Sequence, residues 1–355
     1  MQLNGKIMCE DYVVATVCNG VLNIVDEARV PLYLKRTGDA EAWLKGRAID
    51  AHRTNSRLLK RALRLSSYDD LSAVLKVNAA TVTDRYWFKP DGQTLVYYDV
   101  RFKNNEFASL ALRGDPNSFN KAYSPTPELT NVGSYEKCWL LQDNGFCMVK
   151  FGNELERFSE VFISKLGQAL GLPMAHYTAQ GDTVTSPDFT NGAAVNFESA
   201  AGLVGEDEDY AFNFITFYNI SPALAREYLQ IIYMDALCFN MDRHTQNYGV
   251  LRDVDNGKIL SMAPNFDNNI ALFSRGVPKD LTRRHDKLIE LFLELLQQDE
   301  RALAFAADLP LPTADMIEKA IQATEIFVTD ELKNQTVEFV MAGTKQIKKF
   351  LEEKV

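Results

Sequence analysis

Two short stretches hold the residue types that chemistry needs. The first is Asp242-Arg243-His244-Thr245-Gln246-Asn247, at the end of a predicted helix. The second, Pro264-Asn265-Phe266-Asp267-Asn268, follows after strand-like residues and a turn at Asp255-Asn256-Gly257. Phosphoryl transfer asks for few protein groups. One carboxylate accepts or orients the proton of the attacking hydroxyl. An amide oxygen and a second carboxylate hold the metals that bridge the phosphates, and a lysine holds phosphate oxygens. Kinase catalytic loops set the Asp and Asn five residues apart, with the metal-binding Asp downstream of a strand pair. Asp242 and Asn247 have that separation, and Asp267 has that position. A helix end and a polar loop also supply single Asp and Asn residues. The agreement of three residue types at two spacings is what favours chemistry.

The motif Asp-Arg-His-x-x-Asn, followed by Asn-Phe-Asp, resembles the HipA-like kinases, bacterial Ser/Thr protein kinases known as toxins of toxin–antitoxin pairs. The phosphoinositide kinases share its first half. The resemblance covers roughly residues 120–300. It implies an α+β, bilobal, protein-kinase-like fold with a sheet-rich N-terminal lobe and a mainly helical C-terminal lobe. It implies ATP and Mg2+ as cofactors, Asp242 as the catalytic Asp, and Asn247 and Asp267 as metal ligands. His244 takes a structural role in holding the loop.

The same resemblance extends upstream. Lys150, which ends Cys147-Met148-Val149-Lys150, is similar to the lysine that reaches ATP phosphates from a sheet strand; a solvated strand tip is the plain alternative. Glu160, in the next helix, looks like the glutamate that pairs with that lysine, with Glu154 and Glu156 as competitors. The stretch from Thr130 to Lys137 resembles the phosphate-covering loop, with Gly133 and Ser134 toward ATP, although one glycine departs from a glycine-rich loop. In HipA the equivalent loop can be phosphorylated, so Thr130 and Ser134 are candidate autophosphorylation sites. Val195 and Phe197 are candidates for the hinge near adenine; plain core packing is the competing reading for each.

The elements that must position these residues are partly legible. Apolar runs at 13–17, 21–25 and 30–34 suggest strands of a small antiparallel sheet. Residues 40–66 have helical spacing and carry a basic cluster, read as a solvated face. Residues 86–102 suggest strand, turn at Pro90-Asp91-Gly92, and strand. Strands around 135–142 and 146–151 flank Asp143-Asn144-Gly145, a hairpin signal. A helix over 154–170 stops at Gly171-Leu172-Pro173, with strand-like pieces around 174–180 and 193–198. From about residue 205 the pattern is mainly helical, and its helix 225–241 carries Asp235 in an apolar setting, read as a buried, hydrogen-bonded structural Asp with a brace for the catalytic loop as the alternative. The expected division is a family-specific region at 1–118, a kinase N-lobe at 119–200 and a helical C-lobe at 201–355.

Bulk properties narrow the classes. A net charge of −10 repels phosphate backbones, so direct nucleic-acid binding is not expected. Five cysteines without Cys-x-x-Cys spacing suit neither a disulfide framework nor a zinc site. No apolar run approaches a membrane span, and a cytoplasmic protein is expected. The expected partners are a protein substrate and, from the resemblance, a small DNA-binding antitoxin. A lipid or small-molecule kinase and a weakly catalytic nucleotide-binding module remain as alternatives.

Overall fold

The computed structural model describes residues 3–53, 55–65 and 69–354. They gather into two compact units. The first takes Met1–Phe151, Thr185–Glu198 and Val250–Leu260; the second takes Gly152–Val184, Ser199–Gly249 and Ser261–Val355.

The first unit carries the sheets. Strands β1 (Gly5–Cys9), β2 (Tyr12–Cys18), β3 (Val21–Ile24) and β4 (Tyr86–Pro90) form an antiparallel sheet in the order β3-β2-β1-β4. Side chains alternate across such a sheet, and one face buries Ile7, Val14, Tyr86 and Phe88 with Trp43 and Leu44 of the helix Ala40–Lys45. Strands β5 (Lys137–Gln142) and β6 (Gly145–Phe151) pair from Lys137 opposite Lys150 to Gln142 opposite Gly145, as the Asn-Gly signal anticipates. Gly145 takes φ 111°, which favours glycine.

Strand β7 (Thr178–Gln180) lies in the second unit. The Thr185–Pro187 part of β8 (Thr183–Pro187) runs beside β6. Strands β9 (Val195–Ser199), β10 (Gly249–Asp253) and β11 (Ile259–Met262) form a small sheet in the order β11-β10-β9.

A buried arginine fastens this unit internally. Arg252 on β10 donates to the carbonyls of Ala28 (2.6 Å), Val30 (3.0 Å) and Gly257 (2.9 Å) and to the Tyr86 hydroxyl (3.1 Å). It also pairs with Glu198. Gly257, at φ 70°, has the Ala28 carbonyl where a Cβ would stand.

Three expectations for this unit are corrected. Residues 30–34 do not make a strand. Leu32–Thr37 is a helix that starts after Pro31 and stops at Gly38, φ 69°, whose N–H bonds the Leu34 carbonyl. The flanking Pro and Gly outweigh the apolar run. Residues 40–66 are not one helix but two, Ala40–Lys45 and Ser56–Ala62, parted after Gly46. Thr54 and Ser66 of that stretch lie outside the described residues. Its basic face is also less solvated than expected: Lys60 is buried beside Asp70 (3.1 Å) and Arg53 is buried beside Glu128 (3.3 Å). Finally, the strand expected after Asp91-Gly92 is the short helix Tyr97–Val100. Asp99 accepts the Val96 N–H at 3.0 Å and Asp11 accepts the Tyr97 N–H at 2.7 Å. These carboxylates satisfy first-turn donors that a ladder partner would otherwise need to meet.

The second unit is mainly helical. Helix Glu154–Ala169 opens with a reciprocal cap: Asn153 Oδ1 accepts the Glu156 N–H at 3.0 Å, and Glu156 accepts the Asn153 N–H at 2.9 Å. It ends where Gly171, φ 74°, turns the chain. Helices Tyr210–Ile220, Pro222–Cys238, Lys287–Gln298, Glu300–Ala306, Ala314–Gln322 and Asp330–Lys354 follow. Among the described residues no helix is long and apolar enough to cross a membrane, and all five cysteines are free.

Candidate active site

The site begins at the C-terminal end of helix Pro222–Cys238. Ser221 caps its start, with Pro222 in the first turn. At its end Phe239 turns left-handed (φ 55°, ψ 53°) and returns its N–H to the Asp235 carbonyl. Helix ends leave carbonyls without intrahelical partners. Here Arg283 donates to the Ala236 and Leu237 carbonyls, each at 2.6 Å. Arg283 is buried, pairs with Asp286 at 2.7 Å and lies 4.3 Å over the Phe339 ring. Gly343 makes room for it: a Cβ there would stand 2.5 Å from an Arg283 nitrogen.

Beyond Phe239 the chain forms the loop of interest. Asn240 Oδ1 accepts the Asp242 N–H at 3.1 Å. Asn247 Nδ2 donates to the Asp242 carbonyl at 2.8 Å, which leaves its amide oxygen as the acceptor end of that side chain. His244 bonds Asp242 and Asn247 through its backbone, and its Nδ1 faces the Gln246 N–H at 3.3 Å.

Arg243 joins this loop to the second motif. Its guanidinium meets both carboxylate oxygens of Asp235 at 3.0 Å. It also donates to the Asn247 carbonyl (2.6 Å), the Phe266 carbonyl (2.7 Å), Asn265 Oδ1 (2.9 Å) and Asn268 Oδ1 (2.8 Å). A guanidinium offers five N–H donors in one plane, which suits such a junction. Asp235 is fully buried; burial pushes its carboxyl up, and Arg243 pulls it back toward the charged form.

The Asp267 loop is held from its other side as well. Asn265 exchanges backbone bonds with Pro173 and Ala175. Asp267 takes φ 62° and donates its N–H to the Tyr177 hydroxyl at 3.4 Å. Asn268 donates its N–H to Glu160 Oε1 at 2.9 Å, and Ser159 donates to the Ala271 carbonyl at 2.8 Å. Helix Glu154–Ala169 therefore braces this loop. Among the three competing glutamates, Glu160 is fully buried, Glu156 is engaged in the helix cap and Glu154 is exposed.

The two carboxylates feel each other. Partial burial first, and then the neighbouring Asp267, hold the Asp242 carboxyl above its usual range; His244 pulls the other way. The set is two carboxylates and one amide oxygen, all hard oxygen donors of the kind that suits Mg2+. A cation there would relieve the repulsion that raises Asp242. No cluster of three His, Cys, Asp or Glu metal ligands occurs among the described residues.

The upstream candidates lie in the first unit. Lys150 is buried on β6. Gly133, φ 122°, has the Lys137 side chain where a Cβ would stand. Ser134 is exposed, whereas Thr130 is buried with its hydroxyl donating to the Ala80 carbonyl at 2.6 Å. Val195 and Phe197 are half-buried on β9, and Phe197 meets Phe189 edge-on at 5.5 Å.

Sequence reasoning gave no role to Arg243, Asn240, Asn268, Tyr177 or Arg283. Arg243 stood inside the motif and could have been singled out as its only fork-shaped donor. The rest carried no local signal.

No family model matches the chain, and no curated protein matches it. Solved structures do. The class that the match described next and the geometry above define is an α+β protein-kinase-like fold. The chain is similar to HipA from Shewanella oneidensis MR-1, solved as a toxin–antitoxin complex of HipA, HipB and operator DNA. The two chains match over 98% of this one and 97% of that one, with 12% identity and a TM-score of 0.58. The Helicobacter pylori proinflammatory kinase CtkA matches over 62% of this chain and 92% of its own, with 18% identity and a TM-score of 0.45.

Proposed function

We propose that the chain is an ATP- and Mg2+-dependent Ser/Thr protein kinase of the HipA type. One observation carries this reading: Arg243 ties the Asp242–Asn247 loop to the Asn265–Asn268 loop, within a HipA-like fold. Asp242 orients the substrate hydroxyl and takes its proton as the oxygen attacks phosphorus. Its raised pKa makes it a better base than an ordinary aspartate. Asn247 and Asp267 would hold Mg2+, which when bound neutralises charge on the phosphates. Lys150 offers its ammonium to phosphate oxygens, with Gly133, Val195 and Phe197 around the nucleotide. Glu160 steadies the Asp267 loop through Asn268.

The finer organisation belongs to the same proposal: residues 1–118 ahead of an N-lobe at 119–200 and a C-lobe at 201–355. As HipA is found with HipB, a small DNA-binding partner is proposed for this chain, in the cytoplasm. Of the two loop hydroxyls, the exposed Ser134 is the better acceptor for autophosphorylation.

The test is transfer of label from ATP in the presence of Mg2+, followed by gel and mass spectrometry, beside Asp242→Asn and Asp267→Asn. Label on protein Ser or Thr that both substitutions abolish supports the kinase. Absence of both transfer and ATP binding defeats it.

A further inference from the structure

A cavity of about 340 Å3 lies within the first unit, and none of its lining residues is among the site candidates named above. Its size falls at the lower end of small-molecule sites, roughly 300–1,000 Å3. Tyr97, Phe102 and Phe146 supply aromatic wall. The charges around it sort themselves. Glu10 and Arg85 neutralise each other at 3.0 Å, and Arg85 also donates to the Ala193 carbonyl at 2.7 Å.

Two charges are left over, one of each sign. Asp11 gives one carboxylate oxygen to the Tyr97 N–H and has no basic partner among the described residues. The Arg101 guanidinium has no carboxylate partner among them either; it rests 4.9 Å over the Tyr98 ring, which Lys103 approaches at 3.4 Å. An exposed carboxylate and an exposed guanidinium, neither ion-paired among the described residues, thus line one cavity with aromatic wall. A ligand that met all three features would carry an ammonium, a carboxylate and a flat apolar body.

We propose that this cavity is a binding site for a free aromatic α-amino acid. Its ammonium faces Asp11, its carboxylate faces Arg101, and its ring packs on Tyr97, Phe102 and Phe146. A ligand seated there would pin the short helix Tyr97–Val100 against β1 and β2 through Asp11, which stands in the turn between those strands.

The test is calorimetric titration of the full chain with L-phenylalanine, L-tyrosine and L-tryptophan, beside phenylacetate and phenethylamine, which each lack one charge. Saturable binding of at least one amino acid is expected, with both single-charge analogues weaker by about tenfold or more, as loss of a charge-assisted hydrogen bond implies. Arg101→Ala and Asp11→Asn should each weaken it by a similar factor. Asp11→Asn keeps an oxygen for the Tyr97 N–H, so the fold is preserved. Asp242→Asn should leave binding unchanged, which separates this site from the phosphoryl-transfer site. Failure of all three amino acids to bind, equal binding of phenylacetate, or indifference to both substitutions would overturn the proposal.

Discussion

Each unit contains a buried arginine that gathers distant segments of chain, Arg252 in the first and Arg243 in the second, and the two do different work. Arg252 in the first unit grips Ala28, Val30, Gly257, Tyr86 and Glu198. All its partners belong to the scaffold, and none is a candidate for chemistry. Arg243 in the second unit is also buried, but apart from Asp235 its partners are the two loops that present Asp242, Asn247 and Asp267. Both replace many weak loop contacts with one charged centre. The lesson lies in what is fastened: one arginine couples stability to architecture, the other couples stability to the position of the candidate reacting groups.

The sharpest way to isolate the second function is to remove the chemistry and leave the junction. Asp242→Asn keeps the backbone bonds of the loop, so phosphoryl transfer should fall by about 10²–10⁴-fold in a labelled-ATP assay, with the urea midpoint unchanged. A normal rate in this variant would detach the motif from catalysis.

Next come the two arginines themselves. Leaving a buried carboxylate unpaired costs about 3–5 kcal/mol. Arg243→Met and Arg252→Met should both lose about that much in urea unfolding. The comparison breaks if both lose transfer per folded molecule, or if neither does; only Arg243→Met should.

A smaller effect is expected at Gly343. A methyl group there meets Arg283, so Gly343→Ala should cost about 1–3 kcal/mol by overpacking, read as a lowered urea midpoint. The last prediction concerns pH. A raised carboxyl pKa means that Asp242 keeps its proton to higher pH than a free aspartate. The acid limb of the rate profile should therefore sit above the ordinary value of 3.8, with rate rising as pH rises through it. Asp267→Asn removes a neighbouring negative charge, so ATP-independent titration of Asp242 by NMR should shift downward in that variant.

What could be read from the chain beforehand was local. Asp242, Asn247 and Asp267 stood out because their spacing lies within one short window. The β5–β6 hairpin and the stop at Gly171 were legible for the same reason. The helix Leu32–Thr37 was misread because an apolar run of five residues fits either period, and Pro31 and Gly38 decided it. The short helix Tyr97–Val100 rests partly on Asp11, more than eighty residues earlier. Arg243 was visible but its partners Asp235 and Asn268 were not paired with it, because a charge pattern does not reveal which distant amides converge. Arg252 had no motif at all; its partners stretch back to Ala28.

The first unit is assembled from three separated stretches of chain, and the last of them begins at Val250. Val254 packs in the same core cluster as Ile7, Val14 and Phe88, and its carbonyl accepts from the Cys9 thiol. Synthesis proceeds from the N-terminus at about 5–20 residues per second. The N-terminal sheet and the helices packed on it therefore emerge from the ribosome well before Val254, the last residue of their core cluster. For that interval, on the order of ten seconds or more at those rates, this core cluster lacks Val254 and the Cys9 thiol lacks the carbonyl it donates to.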